Sequence, residues 1–251
     1  MSREPSAWAA PLYAQVLERV SAGPGRTLLD LGCGAGELAR MAVDLGATVT
    51  GVDTDPGAVA AAAERVPEAS FAVGDALEPP NGPFDAAVAV QLLAHVTNPV
   101  ALLRAAAAVA PLVVVTVWGR ETECDVRAFG EALAGWLPPK LPKPGPPSIT
   151  EPDRLRQLVG LAGLVVAEVD EVECTFDYPD EDELVGPVLV SGIGRHALNR
   201  AGPVAVREAL VDRLADNRRP DGSYQLVNRF RVVTATRPPA EADGPVEQPP
   251  D

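Results

Sequence analysis

The sequence predicts an α/β fold, an open and doubly wound, mostly parallel sheet with helical insertions, and three observations predict it. Short apolar runs alternate with Ala-rich helical runs from Thr27 to Val117. Several of these runs are apolar at every position, as in parallel strands that are covered on both faces. Two helical stretches follow the ends of later strands, at the edge where open α/β sheets bind their ligands.

The first part of the chain supplies five strands and three connecting helices. The predicted strands are Thr27–Leu31, Thr48–Val52, Ser70–Val73, Ala86–Val90 and Leu112–Val117. The helical runs between them are Glu37–Leu45, Gly57–Arg65 and Val100–Val109. Parallel strands joined by helical crossovers indicate a doubly wound sheet.

The flanking segments supply two more strands and the insertions. Ser6–Val20 is predicted as an amphipathic helix, with Trp8, Leu12, Val16 and Val20 on one face. Further helices are predicted at Cys124–Leu137, at Glu151–Ala162 with Thr150 as the N-cap, and within Pro179–Arg219, and the last strands at Leu164–Cys174 and Gln225–Ala235. A proline cluster, Pro138–Pro147, is predicted to be a stiff connector.

These elements predict one domain over residues 1–237. Cap elements are expected at about residues 6–20, 119–147 and 179–219, closing over the ligand edge with Trp118 and His95 on the floor. Residues 238–251 are rich in proline and acids and are predicted to be disordered.

Composition narrows the class of partner. The net charge of −14 argues against a nucleic-acid surface, which needs clustered Lys and Arg, and favours a neutral or cationic small substrate. The three cysteines are widely separated and form no Cys-x-x-Cys pair. This argues against a disulfide framework and against a zinc site, so no metal is expected. Without a signal peptide or an apolar stretch of membrane length, the expected location is the cytoplasm.

The central motif is Leu28-Leu29-Asp30-Leu31-Gly32-Cys33-Gly34-Ala35-Gly36, at a strand-to-helix turn. Glycines there let the backbone turn tightly and approach a ligand. The following helix presents free N–H groups that suit a carboxylate. Asp53 and Asp75 end the next two strands, where an open sheet places acids that bind a ribose or an exocyclic amine, and Gln91 ends the fourth.

In this order and spacing, the motifs resemble those of class I S-adenosylmethionine (SAM)-dependent methyltransferases of the bacterial small-molecule type. The resemblance implies a seven-stranded Rossmann-like sheet and SAM as the cofactor. It implies that Gly32, Cys33, Gly34 and Gly36 form the loop under the methionine part of SAM, with Asp30 near its ammonium group and the backbone of Gln91 beside it. It further implies that Asp53 binds the ribose, that Thr54 lies against the adenine, and that Asp75 and Ala76 contact the adenine edge.

The catalytic and acceptor-binding residues are predicted from position alone. His95 follows the fourth strand and is the candidate general base, with a structural role for its loop as the alternative. Trp8, Tyr13, Trp118 and His196 are the candidate residues of a substrate pocket, with core packing or a surface position as the alternative.

Two rival functions remain open at this point. A nicotinamide-dependent oxidoreductase shares the glycine turn and the ribose acid, but it requires a third glycine where this chain has Glu37, which would repel a pyrophosphate. A SAM-binding subunit or sensor without catalysis would keep every motif of the cofactor site.

Overall fold

The computed structural model describes residues 7–138 and 148–238. It contains a seven-stranded sheet in the order β3-β2-β1-β4-β5-β7-β6. The strands are β1 (Thr27–Leu31), β2 (Thr48–Asp53), β3 (Ser70–Val73), β4 (Ala86–Ala89), β5 (Leu112–Trp118), β6 (Val165–Tyr178) and β7 (Tyr224–Thr236). Strands β1 to β5 are parallel to one another, and β7 is antiparallel to both β5 and β6. The predicted α/β class and the doubly wound, mostly parallel sheet are confirmed.

Eight helices cover the sheet within the described residues. They are α1 (Ala10–Arg19), α2 (Glu37–Asp44), α3 (Pro56–Arg65), α4 (Pro99–Val109), α5 (Arg127–Leu133), α6 (Pro152–Leu161), α7 (Glu181–Leu189) and α8 (Gly192–Arg213), and α8 is kinked at Gly202. Short 3-10 turns at Ala7–Ala9, Glu121–Glu123 and Ala215–Asn217 accompany them.

The central strands are apolar throughout because helices bury both of their faces. Along β1, Leu28 belongs to a core cluster with α1 and α2, whereas Leu29 and Leu31 belong to the cluster that contains α4 and α6. All four residues of β4 are buried. Two aliphatic cores on opposite faces of one sheet are what the continuous apolar runs predict.

Beyond the end of β5, strands β6 and β7 continue as a two-stranded ribbon. Trp118, the last residue of β5, is paired with Phe230, whereas β6 and β7 remain paired as far as Tyr178 and Tyr224. Helices α5, α7 and α8 share one apolar cluster, which includes Leu133, Val185, Val188, Ala197, Val206 and Leu210. A second cluster, which includes Ala128, Leu184, Leu214, Tyr224 and Leu226, joins these helices to the ribbon. We call α5, α7 and α8 the helical layer.

Several predicted boundaries differ from the structure. Helix α6 follows Glu151 rather than Thr150, and the Thr150 hydroxyl donates to Ser148 Oγ at 3.0 Å instead of capping the helix. Strand β6 continues to Tyr178, past the predicted end at Cys174, because β7 supplies partners for the additional residues. The proline cluster after Pro138 and the tail after residue 238 lie outside the described residues.

Candidate cofactor site

The glycine loop after β1 has backbone angles that favour glycine. Gly32, Gly34 and Gly36 have φ values of 72°, 51° and 78°, in the left-handed region that L residues rarely adopt. A Cβ at Gly32 would come within 2.9 Å of the Leu92 side chain, whereas one at Gly34 would meet no atom within 4 Å. The loop therefore turns tightly and leaves open space beside Gly34.

Asp53, the last residue of β2, is hydrogen-bonded to this loop. Its Oδ2 accepts a hydrogen bond from the Gly34 N–H at 2.9 Å, and its Oδ1 accepts one from the Asp55 N–H at 3.0 Å. Each carboxylate oxygen has additional lone pairs that these bonds do not use. The carboxylate is consequently held in one orientation while it retains the capacity to accept further donors.

Asp30 is a buried acid with an unsatisfied oxygen. Its side chain is in β1, the residue is 3% exposed, and Oδ2 has no hydrogen-bond partner. Burial, followed by the negative charge of Asp53, raises the pKa of Asp30 to about 7. An orphaned buried oxygen of this kind favours a cationic donor as its partner.

Two cavities meet at the carboxyl edge of the parallel strands. The first, of about 310 Å³, is lined by residues that include Asp30, Gly34, Glu37 and Gln91. The second, of about 280 Å³, is lined by residues that include Asp53, Thr54, Asp75 and Ala76. Gly32 and His95 line both. Because they share these residues, the cavities form one groove across the ends of β1, β2, β3 and β4, at the point where the strand order reverses.

Gln91 follows β4 in a strained conformation. Its φ of 55° is unusual for a residue other than glycine. The Gln91 N–H and the Gln91 side-chain amide both donate to Thr116 Oγ1, each at 2.9 Å. Thr116 is a fully buried residue of β5, so the neighbouring strand fixes the backbone that borders the first cavity.

Helix α1 closes one side of the first cavity. Trp8 and Tyr13 line it, and the Tyr13 hydroxyl donates to Glu37 Oε2 at 3.2 Å. Arg65 Nη1 lies 3.4 Å from Glu37 Oε1. Burial, followed by the negative charge of Glu37, raises the pKa of Tyr13 above its ordinary value, so this hydroxyl remains a hydrogen-bond donor at neutral pH.

The structure therefore gathers most of the residues that the sequence singled out. Asp30, Gly32, Cys33, Gly34, Gln91, His95, Trp8, Tyr13 and Trp118 line the first cavity, and Gly32, Asp53, Thr54, Asp75, Ala76 and His95 line the second. Gly36 lies behind the loop, where a Cβ would be 3.0 Å from the Ala62 Cβ. Burial raises the pKa of Cys33 to about 12, with further contributions from Asp30 and Asp53, so its thiol is neutral.

His196 is the exception among the predicted pocket residues. It lies in α8, its Nε2 atom is buried without a hydrogen-bond partner, and it lines neither cavity of the groove. The structure does not bring it to the site because α7 and α8 pack on α5 and on the ribbon instead of over the groove. Of the predicted cap elements, the N-terminal one lines the groove through Trp8, Leu12 and Tyr13, and the cap as a whole remains a prediction.

Two contributors were not predicted from the sequence as residues of the site. Glu37 adds a second acid to the wall of the first cavity, and its position directly after the glycine loop was the available signal. Thr116 holds Gln91, and its signal was a hydroxyl within the otherwise apolar strand β5. Neither position shows its role without the fold, because each role depends on a partner from a distant segment.

Two kinds of feature were not found among the described residues. Within residues 7–138 and 148–238, no group of three or more His, Cys, Asp or Glu side chains is arranged to hold a metal ion. No helix in those same ranges combines the length and the apolar character that crossing a membrane requires.

Comparison with known proteins agrees with this geometry. Residues 6–169 match the family model described as "Methyltransferase domain". A ubiquinone biosynthesis O-methyltransferase of Xanthomonas campestris pv. campestris (strain B100) is 37% identical over 91 residues, which are 34% of this chain and 38% of that protein. Its counterpart in Caulobacter sp. (strain K31) is 33% identical over 135 residues, which are 47% of this chain and 54% of that protein. The chain thus spans about 38–54% of the length of these two relatives.

Solved structures support the same fold. A putative methyltransferase from Bacillus halodurans C-125 superimposes with a TM-score of 0.60 at 14% identity, over 90% of this chain and 98% of that one. Magnesium protoporphyrin IX methyltransferase from Synechocystis PCC 6803, with bound SAH, gives 0.56 at 15% identity, over 95% and 89%. The match over residues 6–169, about two thirds of the chain, places the protein in the methyltransferase domain family.

Proposed function

We propose that this protein transfers a methyl group from SAM to a small molecule. The observation that carries the proposal is that carboxylates from the ends of three strands, Asp30, Asp53 and Asp75, line one groove. SAM offers a donor to each of three such carboxylates, through its ammonium group, its ribose hydroxyls and its adenine amine.

Asp30 provides the test of fit at the methionine end. Its unpartnered, buried Oδ2 lacks a donor, and the ammonium group of SAM would supply one. Glu37 makes the same cavity still more acidic, which favours a cation and opposes a pyrophosphate. The charge distribution therefore supports SAM over the nicotinamide cofactors of the rival function.

The other end of the groove suits the nucleoside. We assign Asp53 to the ribose hydroxyls, Thr54 to the adenine face, and Asp75 and Ala76 to the adenine edge. The Asp75 carboxylate already accepts the Leu77 N–H at 2.9 Å, which fixes its orientation. The backbone of Gln91, held by Thr116, borders the methionine part.

In the transfer, an electron pair of the acceptor forms a bond to the methyl carbon while the carbon–sulfur bond breaks, and its electrons remain on sulfur as a neutral thioether. The residues of the chain align the reactants and exclude water. His95 lines both cavities and is our candidate to take a proton from the acceptor, when the acceptor must lose one.

The acceptor is proposed to be a small molecule in the cytoplasm rather than a nucleic acid. The net charge of −14 opposes a phosphate backbone. The relatives named above act in ubiquinone biosynthesis according to their names, but they match less than half of this chain, so they support methyl transfer without identifying the acceptor.

The test is transfer of a methyl label. The full-length protein is incubated with methyl-labelled SAM and a panel of small phenols, amines and thiols, and labelled products are separated by chromatography. We expect at least one labelled product, and we expect calorimetry to show tighter binding of SAM than of NAD. Binding of SAM without transfer to any acceptor would support the silent-subunit alternative, and tighter binding of NAD would contradict the proposal.

A further inference from the structure

A third cavity, of about 490 Å³, adjoins the cofactor groove at Trp118. Trp118 lines both this cavity and the first cavity of the groove. The rest of its described wall comes from the segment that follows β5 and from residues just before α6, including Gly119, Arg127, Gly130 and Glu151. The volume of this third cavity lies within the range of small-molecule sites.

Trp118 belongs to a cluster of four aromatic side chains. Its ring centroid is 4.4 Å from that of Phe230 and 5.9 Å from that of Phe176, and Trp8 stacks on Phe230 at 5.5 Å. The chain has three tryptophans and five phenylalanines, so two residues of each type meet at this one place. Phe230 belongs to the core cluster that contains α1 and α2, and the other three rings pack against that cluster, so Trp118 carries an aromatic surface from the core to the walls of both cavities.

Acidic side chains outnumber basic ones on the described walls of both cavities, although Arg65 pairs with Glu37 and Arg120 pairs with Glu151. Asp30 and Glu37 line the first cavity, and Glu121 and Glu151 line the third, where Arg127 is the cationic residue of the described wall. Arg127 also has an acidic neighbour, since its Nε lies 3.7 Å from Glu131 Oε1. A carboxylate or phosphate on the acceptor would be repelled, whereas a neutral or positively charged group would not.

Resting on the proposed function, we propose that the cavity beyond Trp118 is the acceptor pocket and that it takes a neutral or cationic acceptor built on an aromatic ring. The ring stacks on the exposed part of Trp118, and aromatic pairs prefer offset or edge-to-face contacts of the kind already present in the cluster. A cationic substituent gains from the acidic walls and from the indole face.

Gly130 gives a way to fill this pocket without disturbing the fold. It lies within α5, it lines the cavity, and a Cβ placed on it would meet no atom within 4 Å. Gly130→Leu therefore places a side chain in open space and replaces a poor helix former with a good one. Gly160→Leu is the matched control, because Gly160 is an exposed residue of α6 whose Cβ would also meet nothing within 4 Å.

The probes are three phenols that differ in charge, namely tyramine (cationic), 4-ethylphenol (neutral) and 3-(4-hydroxyphenyl)propionate (anionic). Their dissociation constants are measured by ligand-observed NMR on the full-length protein saturated with S-adenosylhomocysteine. We expect tyramine and 4-ethylphenol to bind about tenfold or more tightly than the propionate. Gly130→Leu should weaken both about tenfold, whereas Gly160→Leu should not, and both variants should bind S-adenosylhomocysteine as the unmodified protein does.

Each other result overturns a stated part of the inference. Equal binding of tyramine and the propionate would contradict the charge assignment, and no binding of tyramine or 4-ethylphenol would contradict the aromatic class. Unchanged probe binding in a folded Gly130→Leu protein would place the acceptor elsewhere. Failure to bind S-adenosylhomocysteine, measured separately by calorimetry, would instead contradict the proposed function.

Discussion

Thr116 Oγ1 accepts two hydrogen bonds from Gln91, one from its backbone N–H and one from its side-chain amide, each at 2.9 Å. Thr116→Val keeps the shape of the side chain and removes the acceptor. We expect the free energy of unfolding to fall by about 1–3 kcal/mol, because a polar group beside the buried strand loses its partner. SAM affinity should fall too, because nothing then fixes Gln91 at its φ of 55°.

Thr116→Ser is the control for this experiment, since it keeps the hydroxyl. Chemical denaturation and calorimetry with SAM measure the two effects. If Thr116→Val and Thr116→Ser bind SAM equally well, the contact with Gln91 does not position the cofactor.

Asp53 and Asp55 allow the ribose assignment to be tested with matched changes of charge. Asp53 lines the groove, whereas Asp55 caps α3 by accepting the Gly57 N–H at 2.8 Å. Asp53→Asn should raise the dissociation constant of SAM about tenfold or more, because it weakens charge-assisted hydrogen bonds. Asp55→Asn should change it little, since Asn caps a helix as well as Asp does. Similar SAM dissociation constants for the two variants would refute the assignment of Asp53.

The raised pKa of Asp30 predicts that the affinity for SAM depends on pH. Burial, followed by the charge of Asp53, raises its pKa to about 7, so the carboxyl of the free protein is protonated below that pH. The ammonium group of SAM pairs with the ionised form, and its affinity should therefore rise about tenfold per pH unit up to about pH 7 and then level off. Calorimetry from pH 5.5 to 7.5 measures this slope, and Asp30→Asn should flatten it while weakening binding.

The raised pKa of Asp30 also predicts that the free protein becomes less stable as the pH rises, whereas its affinity for SAM increases. Because the folded protein raises the pKa of Asp30, the protonated carboxyl favours the folded state at low pH. This contribution to the free energy of unfolding is lost as the pH rises through about 7. Asp30→Asn should therefore melt at a higher temperature than the unmodified free protein at pH 8, and the difference should shrink toward pH 4. An Asp30→Asn protein that melts lower at pH 8 would show that the carboxylate is stabilising there.

The contacts of Arg231 indicate where the segment after β5 is anchored. It is 2% exposed, its Nη2 lies 2.6 Å from Glu123 Oε2, and its Nη1 donates to the Thr150 carbonyl oxygen at 3.3 Å. One guanidinium thus holds both ends of the segment that walls the third cavity. Arg231→Met should lower the free energy of unfolding by about 2–4 kcal/mol, because it removes a buried guanidinium together with its contacts to Glu123, Glu171 and the Thr150 carbonyl oxygen.

Arg229 is the control for that measurement, because its ion pairs with Glu171 and Glu173 are exposed. Arg229→Met should cost about 1 kcal/mol or less. Hydrogen exchange should show faster exchange near Glu123 in Arg231→Met alone. Equal losses of stability in the two variants would mean that Arg231 does not anchor the segment.

The sequence predicts the parallel strands well because their signals are local. Five runs correspond to β1 to β5 with ends that differ by at most one residue, since strands buried on both faces, such as β4, are rich in apolar side chains, and the edge strand β3 is bounded by clear changes of pattern. The end of β6 was missed because its last residues are partly exposed and depend on pairing with β7.

The residues of the candidate site fall into the same two groups, those with a local sequence signal and those that depend on distant partners. Glycines and strand-end acids carry their geometry in the local sequence, so Gly34 and Asp53 were predictable positions. The direction that a residue of an inserted helix faces is set by packing between distant segments, and for that reason the local sequence could not show that His196 lines neither cavity of the groove. Thr116 acts through a residue from another strand, a relationship that no local pattern contains.

The ribbon formed by the ends of β6 and β7 has a consequence for engineering. Helices α7 and α8 are inserted between these two strands and rest with α5 on the ribbon, beyond the end of β5, whereas the cofactor groove is built from the loops after β1 to β4 and from α1. The chain is thus modular: the stretch between Tyr178 and Tyr224 could be exchanged for that of another enzyme at two adjacent, mutually paired positions. Such a chimera would keep the residues that line the groove and the third cavity from one parent and would receive from the other the helices that pack on α5.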